Sequence, residues 1–153
     1  MNTNEFDFLN EYDEKVIALA QHLGINLEPD FSDIDTDMSE EEQEEERQEI
    51  IDEIKDELES IVNDYDTTYS YYNQEYDVMT DEEADDAWEE ELDNYIDEII
   101  MPELPDTYQN YFDEEAWKRD ARYDGRGHSI SRYDGEEYEE EVNGTTYYIY
   151  RQN

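Results

Sequence analysis

Fifty aspartates and glutamates stand against nine lysines and arginines in this 153-residue chain, a formal net charge of −41. Self-repulsion of that size opposes compaction, so any fold must bury enough apolar surface to offset it. Charged residues make up 39% and hydrophobic ones 35%, a balance that leans toward disorder. Fifteen tyrosines, four phenylalanines and two tryptophans pull the other way, because aromatic side chains bury large areas. The expectation is a folded chain with a thin core and an over-charged surface. There is no cysteine, which excludes disulfides and thiolate metal sites. No apolar run approaches the length of a membrane span. Residues 1–5 lack the basic segment and apolar run of a signal peptide, so the expected compartment is the cytoplasm. The charge disfavours direct binding to nucleic acid or anionic lipid and calls for a basic partner.

Helical spacing of Leu9, Tyr12, Val16, Leu19, Ala20 and Leu23, with Gly24 as C-cap, predicts a first helix. Residues 25–38, with Pro29, read as loop. Ser39 and Glu42 form a capping-box pattern. The stretch 40–49 that follows has no apolar face and reads as either a solvated helical extension or a frayed one, ahead of a second helix whose stripe runs Ile50, Ile51, Ile54, Leu58, Ile61, Val62, Tyr65. The Tyr-rich stretch 65–77 is open between a strand and a loop lying on the core. A second capping box, Thr80 with Glu83, starts a third helix that turns Ala84, Trp88, Leu92, Tyr95, Ile96, Ile99 and Ile100 inward and ends at Pro102 and Pro105. Asp113 caps a short helix through Ala116, Trp117 and Asp120. From His128 the tail reads as β-structure, with Asn143-Gly144 as a type I′ hairpin turn between 138–142 and 145–150.

The fold class expected is α+β: acidic amphipathic helices followed by a short helix and a β-hairpin. Six of the nine basic residues, Lys118, Arg119, Arg122, Arg126, Arg132 and Arg151, follow residue 105. Residues 105–153 therefore carry a net charge of −6 against −35 for 1–104. That asymmetry suggests an acidic helical region, 1–104, and a small C-terminal unit, 105–153.

The densest acidic faces are Asp52, Glu53, Asp56, Glu57 and Glu59 on the second helix and Asp81, Glu82, Asp85, Asp86, Glu89, Glu90, Asp93 and Asp97 on the third. Counting every acidic residue, the third helix carries roughly one carboxylate per 2.5 Å at 1.5 Å rise per residue. Duplex DNA carries one charge per about 1.7 Å. Two such helices side by side would offer a lysine- and arginine-lined DNA channel a set of stand-ins for phosphates. The plain alternative is a solvated helix face, but uncompensated like charges on one face cost stability, which a basic partner would offset. Asp33, Asp35 and Asp37 with Glu44 echo a calcium loop, yet Met38 stands where the sharp turn needs glycine. His22 sits near a helix C-terminus, where a cation favours the dipole. No phosphate-binding, nucleophile-elbow or dinucleotide pattern occurs. Neither an enzyme, a cofactor nor a structural metal is expected.

The run Tyr111-Phe112-Asp113-Glu114-Glu115-Ala116-Trp117-Lys118-Arg119-Asp120, with Leu104-Pro105 before it, resembles a motif of antirestriction proteins of the ArdA type. The part before it is more acidic; the resemblance covers about the last third of the chain. It implies an elongated, acidic, often dimeric DNA mimic, encoded by mobile elements or phage, that occupies the DNA groove of type I restriction-modification enzymes. Three other readings stay open. One is an anti-CRISPR protein at the DNA site of a CRISPR effector. The others are an acidic chaperone for a basic protein and a low-affinity calcium binder. Arg119 and Asp120 are expected to make structural ion pairs.

Overall fold

The computed structural model describes residues 7–153 and is α+β, with helices packed on an antiparallel sheet. The segment 1–5, read above for a leader signal, lies outside the described residues.

The first predicted helix is broken. A 3-10 turn spans Asp7–Glu11, and α1 (Glu14–His22) starts afresh where the Asp13 carboxylate accepts the Lys15 N–H at 2.9 Å. Ser39 caps α2 (Glu40–Glu59) through the Glu42 N–H. Its acidic first half is helical although nothing there is buried. The apolar stripe does not run on through Ile61, Val62 and Tyr65. The helix stops at Ser60, and Ile61–Tyr65 is strand β1, with Ile61 buried and Val62 and Tyr65 exposed. Two β-branched residues followed by Asn63-Asp64 are poor helix formers. β2 (Thr68–Tyr71) and β3 (Gln74–Thr80) follow, so the stretch left open above is two successive hairpins. Their two-residue turns place Asp66 (φ 48°) and Tyr72 (φ 54°) in the left-handed region that hairpin turns usually give to glycine or asparagine.

Thr80 and Glu83 complete both halves of a capping box and start α3 (Asp81–Tyr95). A π turn (Ile96–Ile100) and one further turn, α4 (Met101–Glu103), carry the helix past Pro102. Proline lacks the N–H that would bond the carbonyl four residues back and crowds it; the wider turn just before it makes room. Tyr95 and Ile99, expected inside, are about half exposed, at 49% and 47%. Then come α5 (Asp106–Gln109), α6 (Glu114–Ala121) with Asp113 as its cap, a 3-10 turn (Arg122–Asp124) and α7 (Arg126–Ile130). The strands expected from His128 begin only at Tyr138, since α7 takes 128–130. β4 (Tyr138–Val142) and β5 (Thr145–Arg151) form the predicted hairpin, with Asn143 (φ 51°) and Gly144 (φ 84°) both left-handed as type I′ requires.

The sheet has the order β1-β2-β3-β5-β4, all neighbours antiparallel. β5 lies between β3 and β4, with Val78 opposite Ile149. The boundary expected at 104/105 is therefore crossed by the central strand pair. Side chains alternate along the strands. Tyr76, Val78, Tyr147 and Ile149 join the core that contains Ile17 and Leu19 of α1 and Ile54 and Leu58 of α2. Met79, Tyr148 and Tyr150 face Ala84 and Trp88 of α3 and Ile130 of α7. Hence α2 and α3 sit on opposite faces of the sheet, not side by side. A fragment of residues 1–104 leaves β3 without its inner partner, so it should lack a cooperative unfolding transition in circular dichroism; a sharp transition would restore the two-unit division.

Candidate functional site

Two ridges run along α3. Residues four apart lie one above the other on a helix, so Asp81, Asp85, Glu89 and Asp93 form one row and Glu82, Asp86 and Glu90 the next. The first row is occupied from within. Arg126 Nη1 bonds Asp81 Oδ1 at 2.8 Å and Asp85 Oδ1 at 2.9 Å, while its Nε bonds Glu137 Oε1 at 2.6 Å. Lys118 Nζ bridges Glu89 Oε1 at 2.6 Å and Asp93 Oδ1 at 2.5 Å. Arg122 joins Glu89 as well. These cations come from α6, the turn after it and α7.

Burial explains why the contacts are close. The Lys118 side chain is only 6% exposed, and an unpaired buried ammonium is costly. The hydrogen bonds it donates to Asp93 and then Glu89 hold its pKa above the usual lysine range. Arg126 is 10% exposed and also stacks over Tyr148 at 4.5 Å. Tyr150, whose OH donates to Glu137, has its pKa pushed up by burial and then by that bond.

Four of the expected phosphate stand-ins, Asp81, Asp85, Glu89 and Asp93, thus hold the molecule's own cations. The outer row stays open. Its Glu82, Asp86 and Glu90 are exposed and make no ion pair among the described residues, and the same holds for Glu91, Asp97 and Glu98 outside that row. Over 82–98 that is about one carboxylate per 4 Å of helix, against about 3.4 Å per phosphate along one DNA strand. On the opposite face of the sheet, Asp52, Glu53, Asp56, Glu57 and Glu59 are exposed and likewise without an ion pair among the described residues. Tyrosines steady two of them: Tyr71 OH donates to Glu57 at 3.0 Å and Tyr12 OH to Glu59 at 3.3 Å. Burial, then Glu59, pushes the Tyr12 pKa up to about 12.

Most of the chain's cations are paired within the molecule. Lys15, Arg47, Lys55, Lys118, Arg119, Arg122 and Arg126 each reach a carboxylate. Arg151 lies over Tyr133 at 3.8 Å. Arg119 meets only its exposed neighbour Asp120, at 3.9 Å, so that pair does not brace the fold as expected. Sequence reasoning missed Lys118, Arg122, Arg126 and Glu137 as the elements that hold α3; the clustering of basic residues after 105 was the available signal. His22 is half-buried between Tyr76 and Tyr138, and burial lowers its pKa, so the expected cation at the end of α1 is disfavoured. Among the described residues no group of three or more histidine or acidic side chains is arranged to hold a metal. In the segment that echoes a calcium loop, the Asp35 carboxylate accepts the Asp37 N–H at 2.8 Å. No helix is long and apolar enough to cross a membrane among those residues.

No protein-family model, curated protein or solved structure matches the chain.

Removing Lys118 leaves two facing carboxylates. Since both partners are about half exposed, K118M should cost about 2 kcal/mol, less than the roughly 3–5 kcal/mol of a fully buried pair. The triple variant K118M/E89Q/D93N should recover part of this; chemical denaturation reads both. Repulsions far outnumber ion pairs, so the melting temperature should rise as salt increases from about 10 mM to about 500 mM. A flat or falling profile would contradict that balance.

Proposed function

We propose that this protein is a non-enzymatic DNA mimic that occupies the DNA-binding groove of a bacterial defence complex, with a type I restriction-modification enzyme as the target. The observation that carries the reading is the fate of the cations. Seven of nine are drawn into ion pairs, while carboxylate rows on α2 and α3 remain exposed. Such a surface attracts a basic groove at long range and disfavours acidic or neutral partners. The restriction target rests on the resemblance of 111–120. In this fold those residues include the Asp113 cap that starts α6 and the Lys118 brace that holds α6 against α3.

The test must spare the inner row. E82Q/D86N/E90Q/D97N removes four outward charges and should leave the circular dichroism spectrum unchanged. Affinity for a purified type I restriction complex should fall on the order of tenfold or more, and duplex DNA should compete with the wild-type protein. Unchanged affinity would remove α3 from the interface. Retention of a CRISPR effector instead would move the target, and capture of many unrelated basic proteins would favour a chaperone.

A further inference from the structure

The chain shows repeatedly how it receives a guanidinium. Arg122 lies over Trp88 at 5.8 Å, Arg126 over Tyr148 at 4.5 Å and Arg151 over Tyr133 at 3.8 Å. Two of these arginines are met at the same time by carboxylates, Arg126 by Asp81, Asp85 and Glu137 and Arg122 by Glu89. Ring face plus carboxylate is the recurring pattern.

One cleft repeats that pattern without a cation of its own. It lies between α3, α6 and α7 and has a volume of about 400 Å³, within the roughly 300–1,000 Å³ of small-ligand sites. Leu92 lines it, and Tyr95 and Trp117 form an aromatic wall, stacked at 5.4 Å with planes 8° apart. Glu91 and Asp124 are on its lining and exposed, and neither carboxylate has a hydrogen-bond or ion-pair partner among the described residues. The chain's nearby cations, Lys118 and Arg122, are committed to Glu89 and Asp93. Nearly half of the Tyr95 surface faces solvent.

We infer that this cleft receives an arginine side chain of the basic partner, its guanidinium against the Tyr95–Trp117 wall and bonded by Glu91 and Asp124. The inference deepens the proposed function and rests on its basic partner, though not on the outer row of α3. Arginine is preferred to lysine because a planar, weakly hydrated guanidinium both stacks and forks to carboxylates, whereas an ammonium is a strongly hydrated point charge. An arginine anchor within a groove held by diffuse charge would act as the local hot spot.

The test uses the full chain and the indole N–H signal of Trp117 in a nitrogen–proton correlation spectrum, assigned with W117F. N-acetyl-arginine amide and N-acetyl-lysine amide are titrated at pH about 8, above the range in which imidazoles ionise, because His128 also lines the cleft. The expected result is a saturable shift with the arginine probe, at least about threefold tighter than with lysine. It should be lost in E91Q/D124N, whose changes are exposed and leave the fold intact, and retained in E82Q/D86N/E90Q/D97N. No shift, equal affinity for the two probes, or an unaltered response in E91Q/D124N would overturn the inference. A specific arginine response beside failed capture of the restriction complex would sustain the cleft and reject the restriction target.

Discussion

The structure depends on how α3 tolerates its own charge. Like charges stacked four residues apart destabilise a helix, and Asp81, Asp85, Glu89 and Asp93 form such a stack. Arg126, Arg122 and Lys118 neutralise it. The same contacts dock α6 and α7 along α3 and leave Glu82, Asp86 and Glu90 on the adjoining ridge. They also shape the cleft walled by Tyr95 and Trp117. Stability and the character of the surface therefore have one origin: three of the nine cations are drawn onto one ridge of α3, and little positive charge is left to dilute the exposed rows.

The sheet supplies the second constraint. With β5 between β3 and β4, the C-terminal hairpin completes the centre of a sheet begun before α3. Val78 and Ile149 bury one face under α1 and α2, while Met79 and Tyr150 bury the other under α3 and α7. Each face needs only a modest apolar set, which suits a chain of this composition. The arrangement sends the α2 and α3 carboxylates to opposite sides, so a groove that grips both would have to wrap the molecule.

Much of the fold was legible where a local signal was strong. Ser39, Thr80 and Asp113 announced three helix starts through caps that the structure contains, and Asn143-Gly144 announced its hairpin. The two hairpins after Ser60 were not legible. Their turns use Asp66-Thr67 and Tyr72-Asn73 without glycine, and Ile61 and Val62 continued a helical period by coincidence. At the candidate site the exposure of the α2 carboxylates agreed with the helical pattern. The division of α3 into a paired and an open row did not emerge, because it depends on which ridge meets cations supplied from α6 onward.

By itself the sequence determined the class of surface: 50 acidic residues on a chain with this little apolar material must lie mostly in water, whatever the fold. It also determined where helices begin and where the last hairpin turns, since caps and left-handed turn residues act within a few positions. Only the tertiary structure decided that 1–104 and 105–153 share one sheet and that α2 and α3 face away from each other. It also decided which carboxylates pair with the protein's own cations and which stay exposed. Those outcomes depend on strand order and on pairing between residues far apart in the chain, Lys118 with Asp93 and Arg126 with Asp81 among them, and local periodicity carries no information about either.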